Sequence, residues 1–285
     1  MRETIKQIYA SHGIEYDNNG HIFSKLLNEW IPEQLINGNH KIGKGVWQHS
    51  TTAGNKGVDA DVVARVTMNS EALQAFTLEA LRAVCGGTCC CNCPGCYAQV
   101  GCYTFFSTRV SLARRTLLIR LDMDFVERAI KAQIKARKIK YVRIHAAGDF
   151  FSEEHVQMWV RIARESPNTI FWTYTKTRFT SCAVFDALPN CNIVKSLVDG
   201  KVNYGKAGYI VALYKDLKAR GKSVWICRCG FDGNQHCAGC HHCYSAEYVL
   251  FLEHSTDYRP SQDPDIVEYI KLMIQQDKEA MKAAA

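Results

Sequence analysis

The stretch YVRIHAAGDFFSEEHVQMWVRIARESPNTIFWTYT, Tyr141 to Thr175, decides the fold class. Tyr141 to Ala147 (YVRIHAA) is a short apolar run of the kind that forms a buried strand. Ser152 is placed to cap a helix that carries Val156, Trp159, Val160 and Ile162 on one side at helical spacing. Thr169 to Thr175 (TIFWTYT) is rich in β-branched and aromatic residues and reads as a second strand. Strand, helix and strand in this order form a βαβ unit, which sets its strands parallel with the helix across them.

The alternation continues beyond this unit. A short helix is expected around Ala183 to Leu188, a third strand at Asn192 to Val198, a helix from Tyr209 to Arg220, a fourth strand at Ser223 to Cys227 and a fifth at Val249 to Glu253. Asp263 to Met281 reads as a closing surface helix. The expected fold is α/β, a partial or irregular TIM-like (βα) barrel with an N-terminal extension and cysteine-rich metal-binding loops. A complete barrel takes about 250 residues, and residues 1–84 do not read as βα units. The expected organisation is therefore an N-terminal extension at 1–84, a metal-binding βα core at 85–255, and a C-terminal helix and tail at 256–285. Lys41 to Gly57 (KIGKGVWQHSTTAGNKG) is glycine-rich and basic but lacks Walker spacing, so it reads as a loop.

Composition bounds the function classes. With 285 residues, 47% hydrophobic and 22% charged, the chain is globular, which excludes disordered and collagen-like architectures. No apolar run approaches the ~20 residues of a membrane span, and MRETIKQIYASHG has polar groups where a signal peptide places its apolar core. A cytoplasmic protein with no membrane partner is expected. In a reducing compartment, clustered thiols point to metal or redox chemistry and not to disulfides.

The 14 cysteines are clustered: seven lie between Cys85 and Cys102 and five between Cys227 and Cys243. In the first segment Cys90, Cys93 and Cys96 form C-x2-C-x2-C, the run that wraps three thiolates around a [4Fe–4S] cube. Cys89, Cys93 and Cys96 form the overlapping C-x3-C-x2-C, so either Cys89 or Cys90 opens the ligand set. In the second segment Cys237, Cys240 and Cys243 repeat C-x2-C-x2-C, with Cys227 or Cys229 to supply a fourth sulfur. Zinc is the rival, since His236, His241 and His242 stand beside these thiols. Cys182 and Cys191 have no local partner spacing.

Charge is equally local. Ser107 to Lys140 holds ten Lys or Arg against Asp122, Asp124 and Glu127, an excess that equals the net charge of +7. Val110, Leu117, Leu118 and Leu121 make one helical stripe, and Asp124 precedes a second, with Phe125, Ala129, Ile130 and Ile134. Two readings stay open: solvated basic faces on amphipathic helices, or a phosphate-binding face for nucleic acid.

With these motifs in hand, the sequence resembles the gene product eighty-eight domain family of phage and plasmid proteins. The resemblance rests on Thr88 and Cys89, Cys96 to Ala98 (CYA), the basic helical stretch, Arg143 to Phe150 (RIHAAGDF), Phe171 to Lys176 (FWTYTK) and the close Val249 to His254 (VLFLEH). It covers residues 85–255 and implies metal or iron–sulfur binding in a mobile-element protein. The layout is also similar to that of radical S-adenosylmethionine enzymes, a cysteine triplet ahead of a strand that ends in AAGD. That resemblance implies that Asp149 holds the cofactor's amino group, with the backbone of Ala147 and Gly148 close by. Gly95, where that superfamily has an aromatic residue, is a departure.

His145, Asp149 and Lys176 lie at strand ends, where βα folds keep functional groups, and are the candidate catalytic residues. Two functions are expected from the sequence. One is a redox or radical enzyme with one or two [4Fe–4S] clusters, an electron donor and S-adenosylmethionine. The other is a non-enzymatic iron–sulfur or zinc module that binds nucleic acid through the helices of 107–140.

Overall fold

The computed structural model describes residues 3–38, 45–53, 58–86, 98, 101–177, 179–198, 201–202, 204–227, 240, 242–252 and 264–283. The chain divides into two compact units, Met1–Ile193 and Val194–Ala285.

The first unit opens with α1 (Ile5–Ser11), held by a reciprocal capping box between Thr4 and Gln7. A hairpin follows, β1 (His21–Ser24) against β2 (Glu29–Pro32), then the antiparallel pair β3 (Asn37–Gly38) and β4 (Val46–Gln48). Three short helices come next: α2 (Ala60–Thr67), α3 (Glu71–Gln74) and α4 (Leu78–Cys85). Their caps Asp59, Ser70 and Thr77 each accept from the amide three residues on. The basic stretch forms α5 (Phe106–Leu121) and α6 (Met123–Arg137), broken at Asp122, whose side chain caps Phe125. The βαβ unit follows as β5 (Tyr141–Ile144), α7 (Glu153–Glu165) and β6 (Ile170–Thr175). It is capped at Ser152 as its sequence requires, and Val156, Trp159, Val160 and Ile162 are buried. Last come α8 (Thr180–Asp186) and β7 (Cys191–Lys195), which crosses the unit boundary.

These strands form a five-stranded sheet in the order β3-β4-β5-β6-β7, with β4, β5 and β6 parallel. The N-terminal segment therefore supplies β4 to the edge of β5, and Ile8, Ile22, Ile31 and Ile36 join the core built on α5, α6 and α7. Gln133 of α6 is fully buried and treats Ile36 as a strand neighbour would. Its Nε2 donates to the Ile36 carbonyl at 2.7 Å, and its Oε1 accepts from the Ile36 amide at 3.2 Å. Gln133→Met keeps the volume and strands both backbone groups, so urea unfolding is expected to show a loss of about 2–4 kcal/mol. A loss below about 1 kcal/mol would mean that the two groups find other partners.

The second unit begins with the antiparallel pair β8 (Leu197–Val198) and β9 (Lys201–Val202). After β10 (Tyr204–Gly205) come α9 (Ala207–Ala219), β11 (Val224–Cys227), β12 (Tyr248–Leu252) and α10 (Pro264–Ala283). The parallel sheet β10-β12-β11 packs its Val224, Ile226 and Leu250 with Ile210, Leu213 and Leu217 of α9 and Ile266 and Ile270 of α10.

The architecture is thus mixed α/β, with parallel and antiparallel pairing in four separate sheets and no closed barrel among the described residues. The expected third strand departs from the sequence expectation, and a TIM-like arrangement is not shown. Asn192 to Val198 divides at Ser196, with β7 completing the five-stranded sheet and β8 turning back on β9.

Candidate functional site

At the C-terminal edge of the parallel strands the ladder runs on past their formal ends. The His49 amide donates to the Arg143 carbonyl at 2.9 Å, the Ala146 amide to the His49 carbonyl at 2.9 Å, and the Thr51 amide to the Ala147 carbonyl at 3.0 Å. This extension sets His49 beside the end of β5. His145, the first residue after β5, has φ +58, a left-handed conformation that costs a non-glycine residue about 1–2 kcal/mol. Gly148 at φ +82 completes the turn at a position suited to glycine. The chain then enters α7, whose first turn carries His155.

Three imidazoles from these places converge. The ring centroids of His145 and His155 are 5.3 Å apart, and those of His49 and His145 6.2 Å. All three are buried, at 0%, 2% and 0% exposure for His49, His145 and His155. Trp159 packs edge-on to His49, Phe150 edge-on to His145, and Phe151 lies against His155. Burial and the charge of Arg115 hold His49 far down, at about 3. Burial and the neighbouring imidazoles push His145 well below the usual histidine range, and burial, His49 and Arg120 do the same to His155. The trio is neutral at physiological pH.

Two of the three tautomers are fixed by their partners. His49 Nδ1 lies 2.9 Å from the Leu35 carbonyl and must carry the proton, which leaves Nε2 a bare lone pair. His155 Nε2 accepts from Trp159 Nε1 at 3.3 Å, so its proton sits on Nδ1, which has no partner. Neither nitrogen of His145 has a partner, nor does Ser50 Oγ, in a residue 3% exposed. Five unmatched polar atoms at one sheet edge are a concentration that calls for a reason, since buried polar groups are nearly always paired.

Asp149 fastens this edge. At 3% exposure, its Oδ1 accepts from the Phe150 amide at 2.8 Å and the Thr175 hydroxyl at 2.5 Å, and its Oδ2 from the Lys176 amide at 2.9 Å. Burial raises its pKa against these donors and the Lys176 charge. On the other side Thr52 Oγ1 donates to the Cys85 carbonyl at 2.8 Å, and the Thr52 amide to Thr116 Oγ1 at 2.9 Å, joining the end of β4 to α4 and α5. Burial pushes the Cys85 thiol up to about 12, so it stays protonated.

The sequence reading placed His145, Ala147, Gly148, Asp149 and Lys176 here, and they share this edge. The role implied for Asp149 does not follow, because its carboxylate is engaged by donors of its own strand-end loops. His49, Ser50 and His155 carry no local site signal in the sequence, and Arg115 enters there only as part of the basic stretch. Cys89, Cys90, Cys93, Cys96, Cys229 and Cys237 lie outside the described residues. Cys227 ends β11, Cys243 is buried and Cys240 half-buried, and His242 stacks on Trp225 at 3.3 Å. The cofactor expectation is corrected: among the described residues no three of His, Cys, Asp and Glu gather so as to hold a metal ion, and [4Fe–4S], zinc and S-adenosylmethionine are not carried forward.

The basic helices make internal contacts. Arg114 bonds Glu29 at 2.9 Å, Lys131 lies between Glu127 and Glu165 at 2.7 and 2.6 Å, and Lys135 meets Glu3 at 2.8 Å. Arg109 pairs with Asp59 and Arg137 with Glu33. Arg128 meets Asp124 and the carbonyls of His12 and Gly13, and Arg120 the carbonyls of Ala83 and Val84. Arg115, half-buried, donates to the Ser50 carbonyl at 3.3 Å and Ser111 Oγ at 3.0 Å. No described helix is long and apolar enough to cross a membrane.

The family model described as Gene product 88 matches residues 34–261. The Gene 88 protein of Mycobacterium phage L5 is 38% identical over 63 residues, 22% of this chain and 25% of that protein. The Gene 88 protein of Mycobacterium phage D29 is 41% identical over 63 residues, with the same shares. The match thus spans a quarter of the length of these curated relatives. No solved structure matches the chain.

Proposed function

The chain belongs to the Gene product 88 family, and on that premise we propose that its first unit is an enzyme domain that takes a small polar substrate at the C-terminal edge of the five-stranded sheet. His145 is the group that contacts the reacting atoms. One observation carries this reading: a histidine in left-handed backbone, 2% exposed, with both ring nitrogens unmatched. Strained backbone and unpaired polar groups persist where function needs them, and their joint presence at a parallel sheet's C-terminal edge points to a site. A neutral imidazole can donate a hydrogen bond to an oxygen that gains charge, or transfer a proton; such a group contributes about 10²–10⁴-fold to a rate. The basic stretch gives no support to nucleic-acid binding, because eight of the ten positive charges between Ser107 and Lys140, all those within α5 and α6, engage groups of the protein itself.

The test is a thermal-shift screen of small metabolites and nucleosides against the wild type and His145→Asn, since Asn tolerates left-handed backbone. Compounds that raise the wild-type Tm are expected to leave the variant's Tm unchanged, with the variant itself folded. If His145→Asn keeps every response, the site lies elsewhere. If it merely loses stability and the wild type responds to nothing, His145 is a structural residue.

A further inference from the structure

We propose that the group bound among the three imidazoles is uncharged and carries a hydrogen-bond donor beside an acceptor, as a carboxamide or lactam does. The inference rests on the ligand site read above and adds its chemical class. His49 gives its only proton to the Leu35 carbonyl and leaves Nε2 a bare, unmatched lone pair, so a ligand group that pairs with it must donate. His155 takes the Trp159 proton on Nε2 and presents its Nδ1–H, so the ligand must also accept. His145, with one donor and one acceptor nitrogen, matches either part.

Ions fit poorly. A carboxylate or phosphate would set its lone pairs against that of His49. A cation would meet Arg115 and Arg120, whose charges already bear on His49 and His155, while the nearby Asp149 carboxylate is engaged by Thr175, Phe150 and Lys176. The lining of Phe150, Phe151 and Trp159 favours a planar, weakly hydrated group over an ion. Because each imidazole is at most 2% exposed, the proposal requires the surrounding loops to open for the ligand to enter.

Proton–nitrogen correlation spectra of the imidazoles, recorded on the full chain with acetamide, 2-pyrrolidinone, acetate or methylammonium added, test this. Acetamide and 2-pyrrolidinone are expected to shift the resonances of His49 Nε2 and His155 Nδ1, acetate and methylammonium to leave them in place, and His145→Asn to abolish the shifts. A shift with acetate or methylammonium alone overturns the class but keeps the site. If no probe moves any imidazole signal, the class is wrong. If nitrogen–nitrogen couplings then show His155 bonded to His145 or His145 to His49, the rings satisfy one another and the ligand site falls as well.

Discussion

Taking the protein from pH 7 to pH 5 is expected to lower folding stability by about 2 kcal/mol for each imidazole that stays neutral in the fold, a large share of what a domain usually has. The cause is the histidine trio. In the unfolded chain each imidazole titrates near 6.5, whereas in the fold His49, His145 and His155 are held below this by burial, helped by one another and by Arg115 and Arg120. The unfolded state therefore binds more protons than the native state below pH 6.5, and stability falls as pH falls. The contribution is complete above about 6.5 and is lost through the window between that value and the depressed native ones, the lower end for His49 being about 3. A histidine that stays neutral to pH 5 costs about 2 kcal/mol there. The groups against the trio do not reverse the sign: the aromatic rings do not titrate, and the guanidinium groups of α5 oppose protonation. Asp149, raised by burial, takes up its proton at a higher pH in the fold than in the unfolded chain, which offsets part of the loss without reversing its sign. Urea unfolding across this range should show a slope that approaches three protons, about 4 kcal/mol per pH unit. His145→Asn should reduce it by one. A slope below one proton between pH 7 and 5 would show that the imidazoles charge in the native state and are not sealed from water.

Why part of this site was legible in the sequence, and part was not, follows from the range of the interactions that build it. β5, α7 and β6 could be read because their signals are local: a run of apolar residues, a serine ahead of a helical stripe, a second run. His145 and Asp149 came with them as strand-end residues. β4 is a strand of three residues, Val46–Gln48, inside a glycine-rich stretch, too short to show a period. It exists because β5 offers it a parallel edge, and with β4 went His49 and Ser50. His155 was legible as a helix residue but not as a site residue, because only the turn at His145 and Gly148 brings its ring back over the sheet. The basic stretch shows the same limit from the other side. Its excess of positive charge was countable, but Glu3, Glu29, Glu33 and Asp59, which pair with it, lie far away in the chain. The single strand expected at Asn192–Val198 divides for a similar reason, since nothing local says that Ser196 ends one pairing and starts another.

Asp149→Ala is expected to cost about 3–5 kcal/mol, because it strands three donors at once in a buried setting: the Phe150 and Lys176 amides and the Thr175 hydroxyl. The cost has a second part. The carboxylate ties the turn after β5 to the end of β6, and that turn is what holds His145 in left-handed backbone against its own preference. Without the tie, the turn can relax toward ordinary φ, and the imidazoles can gain access to water. Their native titration then moves back toward 6.5, and the acid dependence of stability flattens. Asp149→Asn separates the two effects. Its amide oxygen can still accept from Phe150 and Thr175, while its NH2 confronts the Lys176 amide, so one bond is lost and the turn is kept. Urea unfolding at pH 7 and again near pH 5 should therefore show Asp149→Ala weakened at neutral pH but with a reduced pH slope. Asp149→Asn should lose about 1–3 kcal/mol and keep the full slope. Equal slopes in all three proteins would separate the clasp from the histidines, leaving Asp149 as a turn residue and His145 to hold its strained backbone by packing against Phe150 alone.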